Sequence, residues 1–301
     1  MKIKTKQLYR FLVASFIFLI GIGCSSNDER VNFTLWQLPS QINTIGNSYI
    51  FQMTNGEVVV LDGGVKEEEF YLRGFLAALG NHVSLWFVSH PHPDHIGALN
   101  EILKRPDQLK IDKICHSAFS PEFCELEPEY KDAAIDFYSN LKKTTIPVVD
   151  LKIPGDIFRI DKTMFKILGV TDESITSNPF NNSSMIIKVW DKEKSILFLS
   201  DAGIEAGNKL LNGPYRKELD CDYLQMAHHG QKGVSKDFYR NITFKACLWP
   251  TPTWVYNNDI GNGYNTHEFE TVEIRNLIDS IGIKHNFVSC EGLYKIEYAV
   301  D

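Results

Sequence analysis

The hydrophobic run Val83-Ser-Leu-Trp-Phe-Val88 leads almost directly into His90-Pro-His92-Pro-Asp94-His95, which places three imidazoles and a carboxylate within six residues. The run has the length and composition of a buried strand, so the polar cluster sits at a strand's end. In extended backbone His90, His92 and Asp94 fall on one side, and one short loop can aim them at a common point. His95 follows at the opening of Ile96 to Lys104, whose apolar spacing predicts a helix. Pro91 and Pro93 stiffen the loop and lower the entropy lost in fixing it. A lone histidine here would read as a surface residue, but four donors in six positions read as a metal site. Imidazole nitrogen with carboxylate oxygen suits Zn2+, as one ion or two, and a larger oxygen share admits Mn2+ or iron.

The chain has 301 residues, 44% hydrophobic and 23% charged, which fits one large globular domain over residues 32–301. The first residues do not belong to it. Met1 to Arg10 form a basic stretch, and Phe11 to Ile20 an apolar one too short for an ordinary membrane span. Gly21-Ile-Gly-Cys24 resembles a bacterial lipobox, which implies a signal peptide over 1–23, a lipidated Cys24 and a polar tether over 24–31. The alternative is an ordinary secretory signal with an incidental cysteine. Either implies an extracytoplasmic protein, and lipidation implies anchoring to a bacterial membrane. Loss of Lys2, Lys4, Lys6 and Arg10 would take the formal net charge from −7 to about −11. An acidic body argues against broad nucleic-acid binding, but not against a small phosphorylated or ester substrate, because bound dications invert the local field. Cys115, Cys124, Cys221, Cys247 and Cys290 are odd in number and show no paired zinc spacing. Buried free thiols are the expectation, with a Cys115 to Cys124 bridge the alternative.

Three further segments carry signal. Glu57-Val-Val-Val-Leu-Asp62-Gly-Gly64 reads as a strand ending in a turn, Ser195-Ile-Leu-Phe-Leu-Ser-Asp201-Ala-Gly203 as a strand delivering a carboxylate, and Leu224-Gln-Met-Ala-His228-His229-Gly230 as a strand ending in paired imidazoles. With the His-x-His-x-Asp-His motif, and in this order, they resemble the metallo-β-lactamase-fold hydrolases. Asn181-Asn-Ser-Ser184 before a strand, the His228-His229-Gly230 turn and the loop Asn262 to His267 are most similar to the subgroup of ComEC-type hydrolase domains and phosphorylcholine esterases. The resemblance implies an α/β fold, the four-layer αβ/βα sandwich of two mixed sheets flanked by helices. It also implies one metal position built on His90 and His92, and a second on Asp94, His95 and one of the pair His228 and His229, with Asp201 bridging. His228 is favoured because it directly follows the strand, which leaves His229 to donate to substrate or leaving group; the reverse assignment stands beside it. Many relatives carry a further first-position histidine near Asn181, but no histidine occurs here between His116 and His228.

Asp94, His229 and His267 are the candidate catalytic residues. His267 either contacts substrate or sits in the first turn of a helix over 267–281 capped by Thr266. Asp201 has an alternative as a helix N-cap, and Trp249, Trp254 and Tyr256 either line a pocket or belong to the core. The implied activity is hydrolysis by metal-activated water, preferably of a phosphodiester in a nucleotide or phosphocholine-type substrate. A carboxylic ester, lactone or β-lactam is the competing bond, and a non-catalytic surface lipoprotein that keeps the fold as a binding module is the reading from another class.

Overall fold

The computed structural model describes residues 31–300. The expected signal segment and Cys24 lie outside the described residues.

The chain begins as an antiparallel meander, Phe33–Gln37, Ser48–Met53 and Val58–Asp62. In the first of these every second side chain is buried, as expected of a strand with one face on a core. Val58–Asp62 is buried throughout, and from this strand onward the pairing turns parallel, to Leu85–Phe87, Ile114–His116 and Val148–Asp150. Strands covered on both faces carry continuous apolar runs rather than alternation, which is what these sequences show. Tyr294–Ile296 returns to close the other edge beside Phe33–Gln37. A second seven-stranded sheet mirrors this plan. Its antiparallel part runs Ile157–Ile160, Thr163–Gly169, Ile186–Trp190 and Ser195–Phe198; its parallel part continues through Tyr223–Gln225, Ala246–Trp249 and His285–Val288.

The two sheets face each other across an aromatic core. Phe51 meets Phe165 and Phe198 edge-on at 5.3 and 5.8 Å, and Phe87 stacks on Phe165 at 5.7 Å. The helices Glu69–Ala78, Pro93–Lys104 and Pro128–Lys143 cover the outer face of the first sheet with Leu72, Leu99 and Phe137. Ile204–Leu211, Lys236–Asn241 and Thr271–Ser280 cover the second with Leu210, Phe238 and Ile274. The result is helix, sheet, sheet, helix, the four-layer αβ/βα sandwich expected from the sequence. The parallel strands of both sheets place the metal motifs at their carboxyl ends, where the turns into the covering helices leave space.

Several local expectations change. The helix after the metal loop starts at Pro93, not Ile96, because proline fits the first helical position and Asp94 is favoured in a first turn. Asn181 and Asn182, read only as preceding a strand, close a one-turn helix, Pro179–Asn182, ahead of Ile186–Trp190. The late helix starts at Thr271, so Thr266 caps nothing. Asn258 accounts for this: its side-chain nitrogen donates to Asn265 Oδ1 and His267 O, its Oδ1 accepts from Phe269 N–H, and the backbone before Thr271 is thereby committed to it. Val148–Asp150 was not legible, being three residues without a buried face. The five described cysteines are free, and burial pushes the Cys115 and Cys221 thiols up to about 12, which makes them inert at neutral pH.

Candidate metal centre

The donors reach the site from strand ends or from the first turn of the helix that follows, and the imidazoles are aimed from behind. Asp62 ends its strand with φ 59°, an unusual value for a non-glycine residue. Its carboxylate accepts from Ser89 N–H and Ser89 Oγ, both at 2.7 Å, from Asn47 Nδ2 at 2.8 Å, and faces His95 Nδ1 at 2.8 Å. That pairing puts the proton of His95 on Nδ1 and turns the Nε2 lone pair into the site. His92 works the other way round: Nε2 bonds to Glu127 Oε2 at 2.8 Å, and Nδ1 faces His90 Nε2 at 3.0 Å. The Nδ1 of His90 is surrounded by the hydroxyls of Ser89, Ser184 and Ser200 at 3.2 to 3.5 Å. His229 Nδ1 donates to Pro250 O at 2.9 Å, which leaves its Nε2 inward.

The inward atoms form two abutting groups: Asp94, His95, Asp201 and His229, and His90, His92 and Asp201. His229 Nε2 lies 3.0 Å from Asp94 Oδ2 and 3.3 Å from Asp201 Oδ2, and His95 Nε2 lies 3.3 Å from Asp201 Oδ1. Asp201 therefore sits between the groups, as the bridging assignment requires, and Gly203 rather than Asp201 stands at the N-cap of the next helix. Of the imidazole pair it is His229 that joins the four-donor group, whereas His228 Nε2 stands 3.9 Å from Asp201 Oδ2 and belongs to neither. This reverses the preference read from the sequence. Counting from the strand end failed because His228 and His229 both adopt left-handed backbone, φ 52° and 55°, which swings the second ring inward instead of the first.

The chemistry of the donors fits divalent cations. His95 Nε2, His229 Nε2 and Asp201 Oδ1 are buried without a hydrogen bond; they lie at contact distance without hydrogen-bond alignment, as lone pairs aimed at shared points do. Without a cation the group holds protons instead. Burial alone would lower the pKa of His229, but Asp201 and Asp94 outweigh it and raise the group to about 9. Burial likewise opposes ionisation of Asp201, yet the His229 and His95 charges hold its carboxyl well below the usual range. His90 goes the other way, lowered by burial and by the neighbouring His95 and His92.

A pH dependence follows. The stability that His229 contributes when protonated is fully present below its unfolded value near 6.5 and is lost as pH rises through about 9. Over the same window a metal has fewer protons to displace and binds more tightly. The thermal-unfolding gap between metal-loaded and chelator-treated protein is expected to widen from pH 6.5 to pH 9, and a gap that narrows would contradict this proton assignment. Glu127 offers a second check. Replacing it with alanine frees His92 to rotate and is expected to weaken metal binding about 10- to 100-fold, read by calorimetric titration.

Other candidates fall outside the centre. His267 packs edge-on against Phe269 at 4.4 Å, its N–H donates to Asn258 O, and it neither joins a donor group nor lines the cavity above the site. Trp249 is fully buried, donates to Asn286 Oδ1 and meets Tyr256 edge-on, so it belongs to the core. Sequence reasoning missed Glu127 and assigned no role to Ser184 or Ser200, although both serines lie inside segments that carried signal, Asn181 to Ser184 and Ser195 to Gly203.

Residues 43–241 match the sequence profile of the metallo-beta-lactamase superfamily, and the chain belongs to that superfamily. Among solved structures it is similar to the metallo-beta-lactamase fold protein YhfI from Bacillus subtilis, with a TM-score of 0.52 at 12% identity over 88% of this chain and 99% of that one. It is also similar to CmlA β-hydroxylase, with a TM-score of 0.53 at 11% identity over 88% of this chain; it spans about half of that chain, 54%. At these identities the likeness is one of fold. No curated protein matches the chain.

Proposed function

We propose that this chain is a metal-dependent hydrolase that cleaves a phosphodiester, in a nucleotide or phosphocholine-type substrate, with metal-activated water. The observation that carries the reading is the pair of donor groups sharing Asp201 at the floor of a cavity of about 680 Å3 whose described lining contains no serine or cysteine. Divalent cations held there supply a water of lowered pKa and neutralise charge developing on a phosphoryl oxygen. Asp94, His95, Asp201 and His229 would hold one cation, and His90, His92 and Asp201 the other. Asp62 and Glu127 orient the rings, and the burial of the donors excludes bulk water. His228 borders the cavity outside both groups, the place from which an imidazole touches substrate or leaving group.

The lining also bears on substrate class. Asp94, Glu127, Glu129 and Asp201 line the cavity and, among the described residues, no lysine or arginine does, so a free polyanion is repelled until cations are bound. Tyr130, packed on His92 at 4.3 Å, stands with Glu129 at this acidic wall and suits a cationic headgroup joined to the phosphate. The test is hydrolysis of bis(p-nitrophenyl) phosphate and of p-nitrophenyl phosphorylcholine by the purified protein, before and after chelation and metal return. Turnover that follows the metal supports the reading. Turnover confined to carboxylic esters or β-lactams would replace the phosphodiester, and bound metal without turnover on any of them would favour a binding module.

Residues 1–24 support a further proposal, that Cys24 is lipidated and anchors the domain outside the cytoplasm on a bacterial membrane. Metabolic labelling with a palmitate analogue, lost in Cys24→Ser, tests it.

A further inference from the structure

The two donor groups are unequal. Asp94, His95, Asp201 and His229 make a set of four, whereas His90, His92 and Asp201 make only three. Asn181 lines the same cavity as His92 and Asp201 and is 4% exposed, with its Oδ1 buried and without a hydrogen-bond partner among the described residues. A buried acceptor left unpaired costs free energy, which favours an occupant that supplies a donor or a positive charge.

The amide's orientation is set by its neighbours. Asn181 Nδ2 donates to Asn178 Oδ1 at 2.9 Å and faces His228 Nε2 at 3.4 Å. His228 Nδ1 lies 3.1 Å from the carbonyl of Lys232, which places the ring proton there and leaves Nε2 as an acceptor. The amide nitrogen therefore belongs toward His228, and Oδ1 is the atom without a partner. The backbone is tied to the first group as well. Phe180 N–H donates to Glu127 Oε1 at 2.9 Å, the same carboxylate takes His92 Nε2, and the Phe180 ring stacks on His92 at 5.4 Å. Asn181, His92 and Asp201 line one cavity.

We propose that Asn181 Oδ1 completes the first metal position, so that this position offers two imidazoles and two oxygens; the proposal rests on the metal-dependent reading above. Carboxylate and carbonyl oxygens suit harder cations such as Mn2+, while a third imidazole suits Zn2+. The first position is therefore less zinc-selective than one completed by a third imidazole would be.

The test is titration of the metal-stripped full-length protein with Zn2+, Mn2+ and Co2+ by calorimetry, with the visible spectrum of the cobalt form and elemental analysis alongside. Wild type is expected to show two sites. Asn181→Ala weakens one of them by more than the roughly 10- to 100-fold typical of losing an outer partner, and leaves the other intact, which also shows that the variant is folded. Asn181→Asp keeps both sites. Asn181→His keeps both, raises the Zn2+ to Mn2+ affinity ratio of the first position by about 10-fold or more, and alters the cobalt spectrum. His228→Ala leaves both affinities near wild type. Unchanged binding in Asn181→Ala, or loss of the weaker site in His228→Ala instead, overturns the proposal. A wild type holding one ion that Asp94→Ala removes overturns it too, while the metal reading stands. A wild type that binds no metal at all ends both.

Discussion

Asp201→Ala is expected to strip metal from both positions and to lower hydrolytic turnover by about a thousandfold or more, the rate equivalent of several kcal/mol of lost charge stabilisation. The size follows from position. Asp201 belongs to both donor groups, with Oδ1 toward His95 and Oδ2 toward His229. It has no nearby substitute, since Asp94, the other carboxylate among the donors, already serves the second group alone. Loss of any one imidazole takes a donor from a single position, whereas loss of Asp201 takes one from each and removes the negative charge between them. Metal per chain by elemental analysis, read beside turnover for Asp201→Ala, His90→Ala and His229→Ala, checks the ordering. If Asp201→Ala kept metal at both positions, the shared-ligand assignment would fall.

Gly97→Ala is expected to destabilise the protein by about 3 kcal/mol, the upper end of overpacking costs, and so to lower Tm by about 5 °C for a chain of this size. Helix propensity argues for the opposite sign, because alanine is favoured over glycine by about 1 kcal/mol in a helix interior. Packing wins here. A Cβ on Gly97 would lie 2.3 Å from Lys66 N, 2.7 Å from Val65 C and 2.9 Å from Val65 Cα, all of them backbone atoms that cannot rotate away. The helix Pro93–Lys104 is pinned to that turn, with Ala98 N–H donating to Gly64 O at 3.2 Å. Because its first turn carries Asp94 and His95, the displacement is expected to weaken the second metal position as well. Differential scanning calorimetry of metal-free and metal-loaded forms measures both effects, and an unchanged or higher Tm would show that the close approach at Gly97 is not real.

Much of the centre was legible because its signals are local. His90, His92, Asp94 and His95 are six residues long as a group, and Asp62, Asp201 and the His228 and His229 pair each follow an apolar run that ends where a strand must end. The amphipathic stretch 128–143 reads as a helix from its sequence and forms as Pro128–Lys143, since a stretch of that length has one apolar stripe to bury. The shorter pieces were harder. Pro179–Asn182 is a single turn, too short for any periodicity, and the backbone before Thr271 follows the side chain of Asn258 rather than its own propensity.

The sequence by itself determined the residue types at the centre and their order along the chain, because strand alternation, helix periodicity and ligand chemistry act over a few residues; the four-layer fold was legible only through the resemblance those motifs carry. Only the tertiary structure decided which histidine of the pair turns inward, that Glu127 holds His92 from 35 positions away, that the Asn181 carboxamide is left with an unpaired oxygen and lines the cavity shared by His92 and Asp201, and that Gly97 admits no Cβ. Each of these is a distance of a few ångströms between segments remote in sequence, set by how two sheets and their covering helices pack. No pattern within one segment carries that information.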